Sequence, residues 1–192
     1  NISYTKIDPA GNITVIVDSF VPREQQSRVA AELMKRDVTV EQVGFLEKPD
    51  DPCCAVRLQM MGGEFCGNAS LSAAAVIFSR AGLAEGLYCE ELFEVSGAPE
   101  PVKISGSMVN RTCFEGEVAM PLPESISECS FLDGFEGYTF PLVRFPGICH
   151  AIVPVGTIER ERAKAVIASW CRQLGADALG LMFFDRDKHT LT

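Results

Sequence analysis

The chain has 192 residues, 47% of them hydrophobic, which is enough to bury the core of one large domain or of two small ones. Its 17 Lys and Arg residues against 26 Asp and Glu residues give a net charge of −9, and no basic run is longer than two residues. This charge balance excludes the basic surface of a nucleic-acid-binding protein.

No stretch approaches the ~18 consecutive apolar residues of a membrane span. The first residues, NISYTKID, lack the charged and apolar segments of a signal peptide. We therefore expect a soluble, cytoplasmic protein without a membrane partner. The eight cysteines are spaced neither as a small disulfide framework nor as Cys-x-x-Cys pairs, so we expect most of them to be reduced and buried, with no metal bound.

Alternating and helical patterns predict strands and helices in the first part of the chain. The strands are predicted at 2–7, 13–20, 42–48 and 54–61, and the first two are joined by a turn at Pro9–Asn12. An amphipathic helix is predicted from Pro22 to Arg36. The next helix, residues 68–83, is rich in Ala and Ser and apolar on nearly all sides, which predicts that it is buried.

Three more strands follow the buried helix, and after residues 120–128 the order of strand, helix and strand starts again. Strands are predicted at 87–95, 101–106, 111–120, 138–145, 150–155, 178–185 and 189–192, and a helix at 163–174. The Pro-containing stretch 120–128 is the candidate crossing between two lobes, predicted as residues 1–120 and 121–192. The chain stops within an apparent edge strand, so we expect the second lobe to be incomplete.

One cysteine lies where the buried helix is predicted to begin, in the stretch GGEFCGNAS. At a helix N-terminus, the free N–H groups and the dipole stabilise a Cys66 thiolate and can also bind a carboxylate. Gly67 lets a ligand approach the backbone, and Asn68 can cap the helix or contact a substrate. The alternative is that Cys66 is a small core residue, since free Cys is among the most buried residue types.

Four stretches in order along the chain resemble the diaminopimelate epimerase-like superfamily of racemases and epimerases. They are YTKIDPAGNITVIVD, EQVGF, GGEFCGNAS and CHAIVPV. The similarity is greatest to the histidine racemase branch, which belongs to the biosynthesis of staphylopine-type metallophores. The resemblance implies an α/β (α+β) fold of two pseudo-symmetric lobes, each a curved mixed or antiparallel sheet wrapped around a central helix.

The resemblance also implies a reaction and its residues. One cysteine from each lobe faces the substrate α-carbon; one thiolate removes the proton and the other thiol returns one to the opposite face, without a cofactor or metal. Cys66 matches the first catalytic cysteine, and Asn12, Gly67 and Asn68 match substrate-binding positions. The partner is a small amino acid, and the oligomeric state is left open, with a homodimer as one option.

The chain departs from diaminopimelate epimerases in its second lobe. Their Gly-Asn-Pro-His step corresponds here to GICH, with Ile148 in the place of the asparagine, while His150 keeps its place as a substrate-binding candidate. Diaminopimelate is therefore a weaker choice than histidine. Glu41 of EQVGF can accept a hydrogen bond from an imidazole, or it can be a solvated loop carboxylate.

The family's second cysteine, in a Cys-Gly-Ser/Thr-Gly step, does not occur in this sequence, and we expect it beyond Thr192. Cys149 beside His150 is the local substitute, although a thiol within a strand lacks a helix terminus to activate it. We thus predict a histidine racemase, with a diaminopimelate epimerase or a non-catalytic binding module of the same fold as alternatives. A cysteine hydrolase using Cys66 and His150 is a third possibility.

Overall fold

The computed structural model describes residues 2–131, 137–176 and 178–191. The chain divides into two compact units, Asn1–Pro121 and Leu122–Thr192. The division falls inside the predicted crossing. The second half of that stretch is not a linker, however, because it forms part of a strand of the second unit.

The first unit is a seven-stranded mixed sheet with its strands in sequence order and two helices. Its elements are β1 Tyr4–Ile7, β2 Thr14–Val17, α1 Arg23–Arg36, β3 Gln42–Glu47, β4 Val56–Met60, α2 Gly67–Arg80, β5 Tyr88–Val95, β6 Val102–Asn110 and β7 Cys113–Val118. Strands β2 and β3 are parallel and are connected through α1. Every strand and helix predicted in this part of the sequence is present, with ends that differ by a few residues.

The two helices pack on opposite faces of this sheet, because successive strand residues point to opposite sides. Val15, Val17, Val43 and Phe45 form one core with Ala30 of α1. Ile16, between two of them in sequence, belongs to the other core, which includes Ala69 and Ala73 of α2. The prediction that α2 is buried is confirmed, since seven of its fourteen residues are buried.

The small residues of α2 explain why it fits inside the curved sheet. α2 contacts β2, β3, β4, β6 and β7, so strands surround the helix on several sides. Ala and Ser side chains keep the helix thin enough for this approach, and bulky side chains at Phe78 and Val76 fill the remaining space. The curled mixed sheet agrees with the fold class that the sequence predicts.

The second unit is a five-stranded sheet in the order β12-β11-β10-β9-β8 with one helix. Its elements are β8 Ser125–Ser130, β9 Thr139–Phe145, β10 Ile148–Pro154, α3 Arg160–Leu174, β11 Leu179–Asp185 and β12 Thr190–Leu191. Strands β10 and β11 are parallel and are joined through α3, as β2 and β3 are joined through α1. Trp170 of α3 is fully buried against Phe131, with the two rings stacked at 3.8 Å.

Within the described part of the chain, none of the helices has the length and apolarity needed to cross a membrane.

Candidate active site

Cys66 is the N-cap residue of α2. Its backbone is extended (φ −138°, ψ 112°), and its Sγ accepts a hydrogen bond from the Ala69 N–H at 3.4 Å. The Ser70 hydroxyl donates to the Cys66 carbonyl at 2.8 Å, which adds a further hydrogen bond between Cys66 and the first turn of α2. The sulfur therefore takes the capping position that Ser, Thr, Asp or Asn usually fills, at the end of a helix where backbone N–H groups lack intrahelical partners.

The loop that leads into Cys66 is held by the end of β5. The Ser96 hydroxyl donates to the Glu64 carbonyl at 2.9 Å and accepts from the Met60 N–H at 2.9 Å. Gly97, at φ +74°, packs so closely that a Cβ on it would lie 2.2 Å from the backbone nitrogen of Phe65. No residue but glycine fits there without displacing the loop, so this contact fixes the position of the cysteine.

Gln42 is the side chain that contacts the Cys66 thiol, and the sequence analysis did not identify it. The thiol donates to the Gln42 Oε1 at 3.0 Å. Gln42 opens β3 and lies opposite Thr14 of β2 in the parallel register. The alternation of side chains along β3 could have identified Gln42. Val43 and Phe45 pack toward α1, so Gln42 and Gly44 face α2 and its N-terminus.

Burial dominates the electrostatics of Cys66. Removal from water raises the pKa of the thiol above its ordinary value, and the negative charge of Glu64 acts in the same direction. Hydrogen bonds of the sulfur with the Ala69 N–H, with the Gln42 carboxamide and with the Asn68 N–H oppose this rise. Desolvation thus opposes the stabilisation of the thiolate by the helix terminus, and the role of Cys66 as a thiolate stays a prediction.

Asn12 and Glu41 lie at the start of the same pair of parallel strands as Gln42. The backbone N–H groups of Glu41 and Gln42 both donate to the Ile13 carbonyl, at 2.9 and 3.3 Å. The Asn12 Oδ1 is buried and has no hydrogen-bond partner among the described residues. The Glu41 side chain is exposed. The structure thus brings Asn12, Glu41 and Gln42 to one end of β2 and β3, and Gln42 is the one bonded to the thiol.

Gly67 and Asn68 follow Cys66 in the first turn of α2. A Cβ on Gly67 would lie 3.2 Å from the Met120 Sδ and 3.5 Å from a Val118 methyl group, so the end of β7 closes over this position. Asn68 is exposed, and its carbonyl accepts from the Ser72 hydroxyl at 2.9 Å. The Asn68 side chain therefore stays a candidate ligand contact at the helix terminus, whereas the missing side chain of Gly67 leaves room for the end of β7.

His150 lies in β10 of the second unit. Its ring contacts Phe145 edge-on at 5.9 Å, and burial lowers the pKa of the imidazole, which favours the neutral form. The Nδ1 atom is buried without a hydrogen-bond partner among the described residues. Neighbouring Cys149 is buried in the core with Trp170, and its Sγ accepts from the Arg144 guanidinium at 3.4 Å. Because adjacent strand residues face opposite sides, Cys149 and His150 do not form a nucleophile and base pair.

No group of three or more His, Cys, Asp or Glu side chains in the described ranges is arranged to hold a metal ion. Cys66 and its neighbours are suited to proton transfer: the half-buried thiol has a backbone donor and a carboxamide on its sulfur, at a helix end able to attract an anion.

Comparisons with known proteins show which sequences this chain is similar to. Residues 1–192 match the family model of the histidine racemase CntK N-terminal domain. A histidine racemase from Fusobacterium nucleatum is 33% identical over 196 residues, covering 97% of this chain and 68% of the relative. A histidine racemase from Staphylococcus aureus is 26% identical over 205 residues, covering 99% of this chain and 69% of the relative. The chain thus spans about two thirds of the length of these curated relatives.

Solved structures show the same fold at low sequence identity. A probable proline racemase from Agrobacterium radiobacter, solved with bound carbonate, superimposes with a TM-score of 0.66 and 14% identity, covering 97% of this chain and 68% of that one. A hydroxyproline epimerase from Agrobacterium vitis, solved with bound trans-4-hydroxy-L-proline, gives a TM-score of 0.62 and 14% identity, covering 88% of this chain and 57% of that one.

Proposed function

Because the chain belongs to the family of histidine racemase CntK N-terminal domains, we propose that it carries the first half of the active site of a cofactor-independent amino-acid racemase, with histidine as the substrate. The observation that carries the proposal is the placement of Cys66 at the N-cap of the buried helix α2, bonded to Gln42 and to the Ala69 N–H. Similarity to curated histidine racemases supports the reaction and the substrate.

The chemistry follows from the weak acidity of an amino-acid α-proton. In the proposed reaction the Cys66 thiolate takes this proton, the S–H bond forms as the C–H bond breaks, and the electron pair spreads from the α-carbon into the carboxylate. N–H groups at the start of α2 stabilise that developing charge, as donors in an oxyanion hole do. A second thiol then returns a proton to the opposite face. We expect that thiol in a segment following Thr192.

The raised pKa of Cys66 is compatible with this role. A thiol that is protonated in the unliganded protein is the correct form to donate a proton when the enzyme works in the other direction. Conversion to the thiolate needs local positive potential and hydrogen-bond donors, which the N–H groups at the start of α2 supply. Racemisation in both directions requires each cysteine to serve alternately as acid and base.

Glu41 and Asn12 are the proposed substrate contacts of this half of the site. Glu41 is exposed beside Gln42 and can accept a hydrogen bond from the N–H of an imidazole side chain. The unpartnered Oδ1 of Asn12 can accept from the substrate ammonium group. His150, in the second unit, stays a predicted substrate-binding residue. Ile148, in the place of the epimerase asparagine, argues against diaminopimelate as the substrate.

Deuterium exchange tests the proposed reaction and substrate together. The full-length protein is incubated in deuterated water with L-histidine, L-leucine, L-proline and diaminopimelate, and the loss of each α-proton signal is followed by NMR. We expect rapid exchange for histidine, little for the other three, and none with Cys66→Ala. Exchange that favours another substrate overturns the assignment of histidine, and no exchange with any substrate, at a histidine concentration that saturates the relatives, favours a non-catalytic binding module. A cytoplasmic location and a homodimer stay predictions.

A further inference from the structure

The contact between Gln42 and Cys66 has a chemical feature that a proton-carrying thiol requires. A sulfur that alternates between thiol and thiolate changes from a hydrogen-bond donor to an acceptor. A fixed acceptor beside it, such as a carboxylate, favours the thiol alone, and a fixed donor favours the thiolate alone. A carboxamide has an acceptor oxygen and a donor NH2 group on the same planar end, and turning that end over exchanges them at little steric cost.

We propose that Gln42 is the positioning residue of Cys66: its carboxamide accepts from the thiol and, turned over, donates to the thiolate, so that it holds Sγ in one place in both protonation states. This inference rests on the proposed role of Cys66 as a proton carrier. Gln42 reaches the substrate through Cys66, so its effect is on the geometry and ionisation of the sulfur.

The surroundings of Gln42 fit such a role. Its main chain is fixed by the bond to the Ile13 carbonyl and by the parallel register with Thr14, so that only the side chain is able to move. Gly44, two residues further on the same face, is packed closely against the neighbouring strand, since a Cβ there would lie 2.7 Å from a Leu58 methyl group. The carboxamide oxygen meets the thiol at 3.0 Å.

The sulfur is also held from a second direction. The Ala69 N–H reaches Sγ at 3.4 Å and remains a donor in both protonation states, so it stabilises the thiolate but does not adapt to the thiol. Among the described residues, Gln42 is the partner whose hydrogen bond with Sγ can change direction, from accepting to donating. Together the two contacts restrict rotation of the Cys66 side chain and leave the remaining direction of the sulfur for a substrate.

The experiment compares three single variants of the full-length protein. Gln42→Met keeps the length of the side chain and removes both hydrogen-bonding groups. Gln42→Glu keeps an acceptor and adds a negative charge. Gln59→Met is the matched control, because Gln59 is a half-buried glutamine on the neighbouring strand β4 and lies opposite Phe45, on the face of the sheet that packs toward α1. Circular dichroism and thermal melting establish that each variant is folded.

The first measurement is the alkylation rate of Cys66 by iodoacetamide as a function of pH, read from the Cys66 peptide by mass spectrometry. We expect Gln42→Met to slow alkylation at pH 8 by about tenfold, because the thiolate loses a charge-assisted donor. We expect Gln42→Glu to slow it further and to move the midpoint of the profile to higher pH, since a like charge faces the thiolate. Gln59→Met should match the parent protein.

The second measurement is racemisation of L-histidine by the same proteins. We expect both Gln42 variants to lower kcat with KM nearly unchanged, because the substrate contacts remain while the proton carrier is misplaced. An alkylation profile of Gln42→Met equal to that of the parent protein overturns the inference, and Gln42→Met decides the matter even if Gln42→Glu does not fold. Alkylation needs no substrate, so this result is separate from a failure of the proposed reaction, which would instead appear as loss of racemisation in every protein, the parent included.

Discussion

Glu41 is the residue on which the preference for histidine depends in this account. Replacing it by Gln keeps the size and removes the charge. We expect Glu41→Gln to reduce kcat/KM for histidine more than for any aliphatic amino acid that is accepted, by the loss of a charge-assisted hydrogen bond worth about 1.5–3 kcal/mol once the substrate excludes water. Steady-state kinetics on both substrates measures the difference, with Glu32→Gln on the exposed side of α1 as control. Equal losses for both substrates would mean that Glu41 supports the loop.

The ionisation of Cys66 gives a prediction with a definite sign. Burial raises the pKa of this thiol, so less of it is thiolate at neutral pH than in a free thiol, whose ordinary pKa is about 8.5. We expect iodoacetamide at pH 7.5 to label the exposed Cys53 and Cys113 before Cys66. The Cys66 rate should rise with pH through a midpoint above that of a cysteine in an unstructured peptide.

Peptide mapping by mass spectrometry at a series of pH values reads all eight cysteines in one experiment. A midpoint for Cys66 below that of the free thiol would mean that the helix terminus outweighs burial, the opposite of what the structure indicates.

The position of Cys66 at a helix start was predictable from neighbouring residues in the sequence. The contact of Gln42 with the thiol was not, because it depends on residues that are distant in the sequence. The helix start follows from residues next to one another, namely a capping side chain, a glycine and an Ala-rich run, so the position of the thiol could be read directly. Its contact with Gln42 depends on the parallel register of β2 and β3 and on which face of β3 meets α2. The direction of the pKa shift likewise depends on how much of the fold covers the sulfur.

The elements of both units were mostly predictable because their hydrophobic patterns are regular. α1 and α3 have helical spacing, α2 is a long run of Ala, Ser and apolar residues with high helix propensity, and the strands are short alternating or apolar runs between turn residues. The exception is β8, whose first residues belong to the stretch 120–128, where prolines, serines and glutamates predict a linker; in the structure its side chains are largely exposed. A strand at the edge of a sheet buries little, so it leaves a weak pattern in the sequence.

The link between β5 and the loop before α2 gives a prediction about stability. Gly97→Ala places a Cβ against the Phe65 backbone at a positive φ, whereas Gly82→Ala meets the same backbone restriction (φ +68°) with nothing within 4 Å. We expect Gly97→Ala to lower the free energy of unfolding more than Gly82→Ala does, by about 1–3 kcal/mol. Urea denaturation of the three proteins measures both costs.

Gly97→Ala should also lower the rate of racemisation by more than the loss of folded protein accounts for, because Cys66 is displaced with the loop. If both alanine variants lose the same stability and keep the same activity, Gly97 has no role beyond its own turn.

The whole molecule is, in this account, a racemase whose first unit supplies one of two proton-carrying thiols. The chain spans about two thirds of the curated histidine racemases it matches, and the fold of solved proline racemase and hydroxyproline epimerase structures extends over most of it. A reaction at one carbon from two faces requires both thiols, so removing either one should abolish racemisation without affecting the fold of the first unit.

Chiral chromatography of L-histidine incubated with the full-length protein tests this claim most directly. The parent protein and Cys53→Ser, which alters an exposed cysteine, should both produce D-histidine until the two enantiomers are equal. Cys66→Ser, which keeps a capping hydroxyl but not an ionisable thiol, should produce less than about one thousandth of the parent rate. D-histidine formed by folded Cys66→Ser at a rate close to that of the parent would contradict the account, because the proton would then be carried by another group.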